Sequence, residues 1–209
     1  MPSVVDICNM ALSRIGNSQR INALTEASIQ AEQCSLFYEP SRDFVLRDYP
    51  WAFATAFVSL AQVSTNPDPE YPYCYSMPTD CLKARRIVNE AFPEGYWPFP
   101  ERIERPRIPR IGFRIINGSS GRLISTSVSP ATLEYTIKVD SPELFDPIFV
   151  SALAWRLAGQ IAPAIAKDAN VAQTCEQMYR SEIAGAAAAM LNEGANDYVP
   201  ESSFISGRG

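Results

Sequence analysis

The sequence predicts an α+β protein: a helical bundle assembled from the N- and C-terminal helices, with a small, mainly antiparallel β insertion in the middle of the chain. Three patterns predict it. Apolar residues recur at helical spacing near the N-terminus and again from about residue 144 to 191. Between them lie short segments of period two, such as Leu133, Tyr135, Ile137 and Val139, separated by turn residues. A chain of 209 residues with 46% hydrophobic content is also long enough to bury a core without disulfides or metal. The expected divisions are 1–60 and 141–194 for the two parts of the bundle, 61–140 for a β-rich insertion with a Pro/Arg-rich loop, and 195–209 for an extended tail.

The first helix is expected over 3–15. Ser3 is its N-cap, with Asp6 completing a capping box. Val4, Ile7, Cys8, Ala11, Leu12 and Ile15 make one stripe, and Gly16 stands where a left-handed residue ends a helix. Thr25 and Ser28 compete to cap the central helix, whose stripe is Ala31, Cys34, Tyr38, Val45, Leu46 and Tyr49. Arg42, Asp43 and Arg47 fall off that stripe, and Asp43 and Arg47 suit an i,i+4 ion pair. Pro40 implies a kink there, or two helices meeting at Glu39 and Pro40. Pro50 ends the helix, with Trp51 and Phe53 as bulky anchors beyond it. Residues 52–63 suit a buried strand or a helix start. Tyr71, Tyr73 and Tyr75 alternate, 81–88 reads as a strand, and 92–109 reads as an extended loop with five prolines. Residues 113–116 and 122–125 form a hairpin around a Gly-containing turn, followed by the strand at 133–139. Ser141, Pro142 and Glu143 read as the start of a long apolar helix interrupted near Pro163, with Pro147 either tolerated within it or starting its main rod. Asp168 caps the last helix, which has Val171, Cys175, Met178, Tyr179, Ile183, Ala186, Met190 and Leu191 on its core face. Its run of small residues at 184–189 suits a very close helix contact or a close-packed subunit seam.

The chain has no histidine, which removes the commonest general base and metal ligand and lowers the expectation of catalysis. Five scattered cysteines are expected as reduced thiols of a cytoplasmic product. The first ten residues lack the basic start of a secretory signal, and no apolar run is expected to approach the ~18 residues that a membrane span needs. No GxxxxGK[ST] or GxGxxG phosphate cradle is present. Cys74 and Cys81 lack a second pair at zinc-ligand spacing, so buried thiols are the better reading. Glu90, Glu94, Glu101 and Glu104 could serve as paired carboxylates, but in an arginine-rich loop surface ion pairs are the stronger expectation. No catalytic residue, metal site or cofactor is therefore assigned.

Charge is uneven along the chain: 83–122 holds nine of eighteen basic residues and four of twenty-three acidic ones. Within it Arg102, Arg105, Arg107, Arg110 and Arg114 alternate with Ile103, Pro106, Ile108 and Pro109. Three readings stand beside one another. The arginines are a solvated loop neutralised by its own acids, a contact for nucleic-acid phosphates, or a basic arm that meets the acidic remainder of a neighbouring subunit. The third is preferred.

Four stretches, in order, carry a resemblance. They are ICNMALSRIG at 7–16, ASIQAEQC…RDFVLRDYPWAFA at 27–54, YCYSMPTDCLK at 73–83 and FDPIFVSALAWRLAGQIA at 145–162. Together they resemble the head-to-tail adaptor proteins of short-tailed bacteriophages, also called tail tubular protein A. The resemblance covers most of the chain from Ile7 to Ala162 and is least typical at 92–109. It implies a structural virion protein rather than an enzyme, in a homo-oligomeric ring usually of about twelve copies. Its partners would be further copies of itself, the portal protein and the tail nozzle protein, with genome DNA passing through the lumen without sequence readout. Its place would be the head–tail junction of the virion, and the host cytoplasm before assembly. Residues expected at subunit or partner contacts are Arg102, Arg105, Arg107, Arg110 and Arg114, with Tyr198 and Phe204 in the tail. The alternative is a nucleic-acid-binding module built on 83–122.

Overall fold

The computed structural model describes residues 2–88, 111–118 and 121–193. In chain order the elements are α1 (Val4–Arg14), α2 (Ile29–Asp48), β1 (Thr55–Ser59), β2 (Tyr73–Ser76), β3 (Cys81–Val88), β4 (Phe113–Gly118), β5 (Gly121–Thr126), β6 (Thr132–Ile137), α3 (Pro147–Ile165) and α4 (Ala169–Glu193). The class is α+β, with helices at both ends and two small antiparallel sheets in the middle. The chain divides into two compact units: a helical one, Pro2–Ser41 with Asp146–Gly209, and a β unit, Arg42–Phe145. The division falls inside α2.

In the helical unit α1 begins and ends as its sequence dictates. Ser3 Oγ accepts from the Asp6 amide at 3.2 Å, and the Asp6 carboxylate accepts from the Ser3 amide at 2.8 Å. These bonds favour the ionised acid and hold the Asp6 carboxyl below its usual range. At the other end Gly16 sits at φ 77°, so that the Gly16 amide reaches Ser13 O and the Asn17 amide reaches Leu12 O, a Schellman close. Ile7, Cys8, Ala11 and Leu12 are buried. The Cys8 and Cys34 thiols meet between α1 and α2, and that contact together with burial pushes the Cys8 thiol up. For α2, Ser28 wins over Thr25, since its Oγ accepts from the Ala31 amide at 3.2 Å. The helix runs through Pro40 as one element rather than two. Leu36 and Pro40 both face solvent, where water can satisfy the Leu36 carbonyl that the proline cannot reach.

At the start of α3 the second alternative holds, with Pro147 beginning the main rod, and the expected N-cap at Ser141 is corrected. Ser141, Pro142 and Glu143 open only a short 3-10 turn without a side-chain cap. The helix starts at Pro147, with Asp146 Oδ1 accepting from the Ile148 amide at 2.7 Å. That phase turns Phe149, Leu153, Leu157 and Ile161 into the core. The helix also passes through Pro163 to end at Ile165. Contrary to expectation, α3 is long and apolar enough to cross a membrane, with 19 residues and a mean hydropathy of 1.4. Half of that stretch, including Phe149, Leu153, Leu157 and Ile161, is buried, and the helix packs on α1 and α4 as a core helix does. Asp168 caps α4 through the Asn170 amide. Cys175, Tyr179 and Ala186 of α4 are buried, but Met178, expected with them, is 41% exposed. The tight helix approach lies at Gly159, where a Cβ would come 3.6 Å from Cys175 Cβ. The run at 184–189 is instead partly open, with Ala184, Gly185 and Ala188 exposed. Arg14 ties three helices together. It donates to Ser151 O at 2.7 Å and to Ser151 Oγ at 3.0 Å, lies 4.2 Å over the Trp155 ring, and Ser151 Oγ donates on to Glu182.

In the β unit the sheets run β1-β6-β3 and β2-β5-β4. Their core is Leu60, Tyr75, Cys81, Ile87, Ile124, Ala131, Leu133 and Tyr135. The segment after the Trp51 corner resolves into one 3-10 turn, Ala52–Ala54, and then β1. Trp51 is buried, its Nε1 donating to Val45 O at 2.9 Å. Leu133 and Tyr135 are buried as their alternation requires, yet Thr136 is fully buried too. β6 is the middle strand of its sheet, and its second face receives Arg85, whose Nε donates to Thr136 Oγ1 at 2.8 Å. Arg85 Nη2 continues to the carbonyls of Leu46, Arg47 and Tyr49, and Lys83 Nζ reaches Arg47 O. Two cations from β3 thus satisfy carbonyls that the last turn of α2 cannot pair internally. Arg42 is also inside, 3% exposed and paired at 2.8 Å with both Asp43 and Asp140. Asp43 therefore pairs with its neighbour and not with Arg47, which donates to Leu82 O.

Candidate protein-interaction site

Of the residues expected at contacts, Arg102, Arg105, Arg107, Arg110, Tyr198 and Phe204 lie outside the described residues, as do Glu90, Glu94, Glu101 and Glu104. Arg114 is on β4. Its Nη2 donates to Glu70 Oε2, its Nη1 lies 3.8 Å from Asp68 Oδ1, and its guanidinium stands 5.9 Å over the Tyr71 ring. The Glu70 carboxylate raises its pKa. Here an arginine of the basic segment is answered by acids of its own unit.

Three other described cations of 83–122 behave similarly. Arg86 pairs with Glu134, and Lys83 and Arg85 hold the end of α2. Burial pushes the pKa of Lys83 and of Arg85 down; Asp48 opposes this for both, and Glu134 also for Arg85. The Arg122 guanidinium has no hydrogen bond or ion pair among the described residues. Folding thereby redistributes the charge asymmetry of the linear chain. The β unit, Arg42–Phe145, carries twelve basic and twelve acidic residues, while the helical unit carries six basic and eleven acidic. The whole net charge of −5 belongs to the helical unit.

Within the helical unit, one exposed face has an apolar character that the sequence reading did not assign. Ile29 is 63% exposed and Leu36 is 60% exposed, seven residues apart on α2 and therefore on one line. They lie on the opposite side from Ala31, Cys34 and Tyr38, which are buried. Glu32 and Glu39 follow Ile29 and Leu36 by three residues each and are likewise exposed. Among the described residues neither carboxylate has a hydrogen bond or ion pair. The available signal was the interval from Ile29 to Leu36. It was masked because a helix with apolar residues on two opposite faces gives no single stripe.

A polar cleft of about 680 Å³ beside α1 is lined by Asp6, Asn9, Arg14 and Arg20 among others. Asp6 is bonded to Ser3, Asn9 exchanges two bonds with the Ile21 backbone, and Arg14 is held by Ser151. Those side chains hold the fold itself together. Cys74 and Cys81 are free, buried thiols; Cys74 accepts from Ser125 Oγ at 3.7 Å. Among the described residues no group of three or more Cys, Asp or Glu side chains could hold a metal. The chain matches no protein-family model, and no curated protein matches it at significant similarity.

Proposed function

We propose that this protein is a structural adaptor of the head–tail junction of a short-tailed bacteriophage, a ring of copies that joins portal to tail nozzle and continues the DNA channel. One observation carries the reading. The four stretches that resemble such adaptors are framework: they build α1, α2 with its buried Trp51 corner, β2 with β3, and α3. A resemblance made of framework supports shared architecture across both units, whereas matches confined to a loop or a charged patch would support much less. The outward apolar face of α2 agrees with a protein that works through contacts with other chains. The rival, a nucleic-acid module on 83–122, is weakened because Lys83, Arg85, Arg86 and Arg114 are already bonded within their own unit. Electron microscopy of the full chain mixed with the portal protein of the same virus tests the proposal. A ring of this protein stacked coaxially on the portal is expected; a portal that stays bare would overturn it.

A further inference from the structure

The outward face of α2 is an apolar line edged with carboxylates that have no partner among the described residues, and the charge on this chain says what fits it. We propose that this face seats the aliphatic–arginine segment 102–110 of a second copy of the chain, an inference that rests on the ring-forming reading above. The acceptor repeats one pattern twice. Ile29 is followed by Glu32 and Leu36 by Glu39, the second pair seven residues, about 10 Å along the helix, after the first. Both aliphatic side chains are about 60% exposed, on a helix whose core-facing residues are already buried. Covering them removes apolar surface from water without unpacking anything.

The occupant needs aliphatic groups to meet Ile29 and Leu36, and cations to meet Glu32 and Glu39. Residues 102–110, RIERPRIPR, supply four arginines against one acid, with Ile103 and Ile108 between them. Arginine suits the role because its planar fork engages a carboxylate through two parallel bonds and is weakly hydrated. The charge of the units agrees, since the helical unit carries the excess of acid. One acceptor and one donor per copy is also the arrangement that repeats head to tail and closes into a ring. The apolar pair supplies the area, and the carboxylates fix register and partner.

Sedimentation of the full chain over a range of concentrations tests this, with Glu32→Arg/Glu39→Arg, Arg105→Glu/Arg107→Glu, and all four changes combined. The wild type is expected to self-associate, and each double variant to weaken association about tenfold or more. The combined variant should recover to within about threefold of wild type. Because Glu32 and Glu39 are exposed, their replacement should leave the far-UV circular dichroism unchanged, with only a small shift in melting from the charge reversal in the first turn of α2 and the weaker association. A wild type that stays monomeric would overturn the inference. So would association indifferent to Glu32→Arg/Glu39→Arg, or a combined variant no better than its parents. Portal binding, measured separately, keeps the two failures apart. A chain that caps the portal yet ignores the charge exchange loses only this inference. One that self-associates through α2 and leaves the portal bare loses only the adaptor reading.

Discussion

In the helical unit the decisive cation is half-buried and joins helices. Arg14 reaches from α1 to Ser151 of α3 and Trp155 lies beneath it, while Glu182 of α4 holds the Ser151 hydroxyl. In the β unit Arg42 is buried between two aspartates, and the other described cations work nearer the edges. Arg85 and Lys83 close the end of α2, and Arg86 and Arg114 stand at the surface beside carboxylates. The difference teaches that the linear charge of a segment says little about its availability. Residues 83–122 read as a free basic arm, yet the described part of that segment is mostly engaged with its own unit. Conversely the helical unit, Pro2–Ser41 with Asp146–Gly209, carries the entire charge excess.

The largest effect expected is in the helical core. Phe149 is fully buried on α3, so Phe149→Ala should destabilise the protein by about 3–5 kcal/mol in urea unfolding monitored by circular dichroism. A loss below about 1 kcal/mol would mean that α3 is not the core helix that its burial implies. The next prediction sharpens the contrast between the cation that joins helices and one at an edge. Arg14→Met removes the link between α1 and α3 and leaves Ser151 O without its donor, so a loss of about 1–3 kcal/mol is expected. Arg114→Met removes an exposed pair with Glu70 and a longer approach to the buried Asp68, so a smaller loss than that of Arg14→Met is expected. Equal effects of the two substitutions would erase the distinction between these two cations.

Two helix ends in the helical unit give smaller effects of opposite sign. Gly16 closes α1 at φ 77°, and a Cβ there meets nothing within 4 Å, so Gly16→Ala isolates backbone strain and should cost about 1 kcal/mol. Lys167 holds the same left-handed role after α3 at φ 55° without being glycine. Lys167→Gly is expected to raise stability by about 0.5–1 kcal/mol, less if the added chain entropy of glycine offsets the relief. Both are read from thermal unfolding.

How much of this was legible depended on how local the cause was. The cap, stripe and stop of α1 lie within Ser3 to Gly16, and the sequence sufficed. The same holds for β3 and for the hairpin of β4 and β5. The start of α3 was not local. Ser141-Pro142 and Asp146-Pro147 carry nearly the same signal, and the choice fell to whichever phase buries Phe149, Leu153 and Leu157 together. Arg42 looked like a surface residue because Asp140, which draws it inside, is ninety-eight positions away. The candidate site was the least legible part. The α2 face shows only when one knows which side of that helix the core has taken. The arginines that sequence reasoning favoured are mostly outside the described residues.

The smallest effect concerns pH and separates the caps of the helical unit from everything that packs behind them. Asp6 accepts from the Ser3 amide and from Ser3 Oγ, both at 2.8 Å, and these bonds lower its pKa from 3.8. A carboxyl whose pKa is depressed by folding contributes stability above its unfolded value and loses it as pH falls through the folded one. The contribution should therefore be complete at neutral pH, begin to fade near pH 3.8, and vanish below the depressed value. In Asp6→Asn the amide does not titrate, so the stability difference between wild type and variant should narrow only in that acid window. Because Asp6 is exposed, the change should be a small step on the larger loss expected from the remaining acids. A difference that stays constant down to pH 2 would show that the Ser3 bonds hold the side chain in place without favouring its charged form.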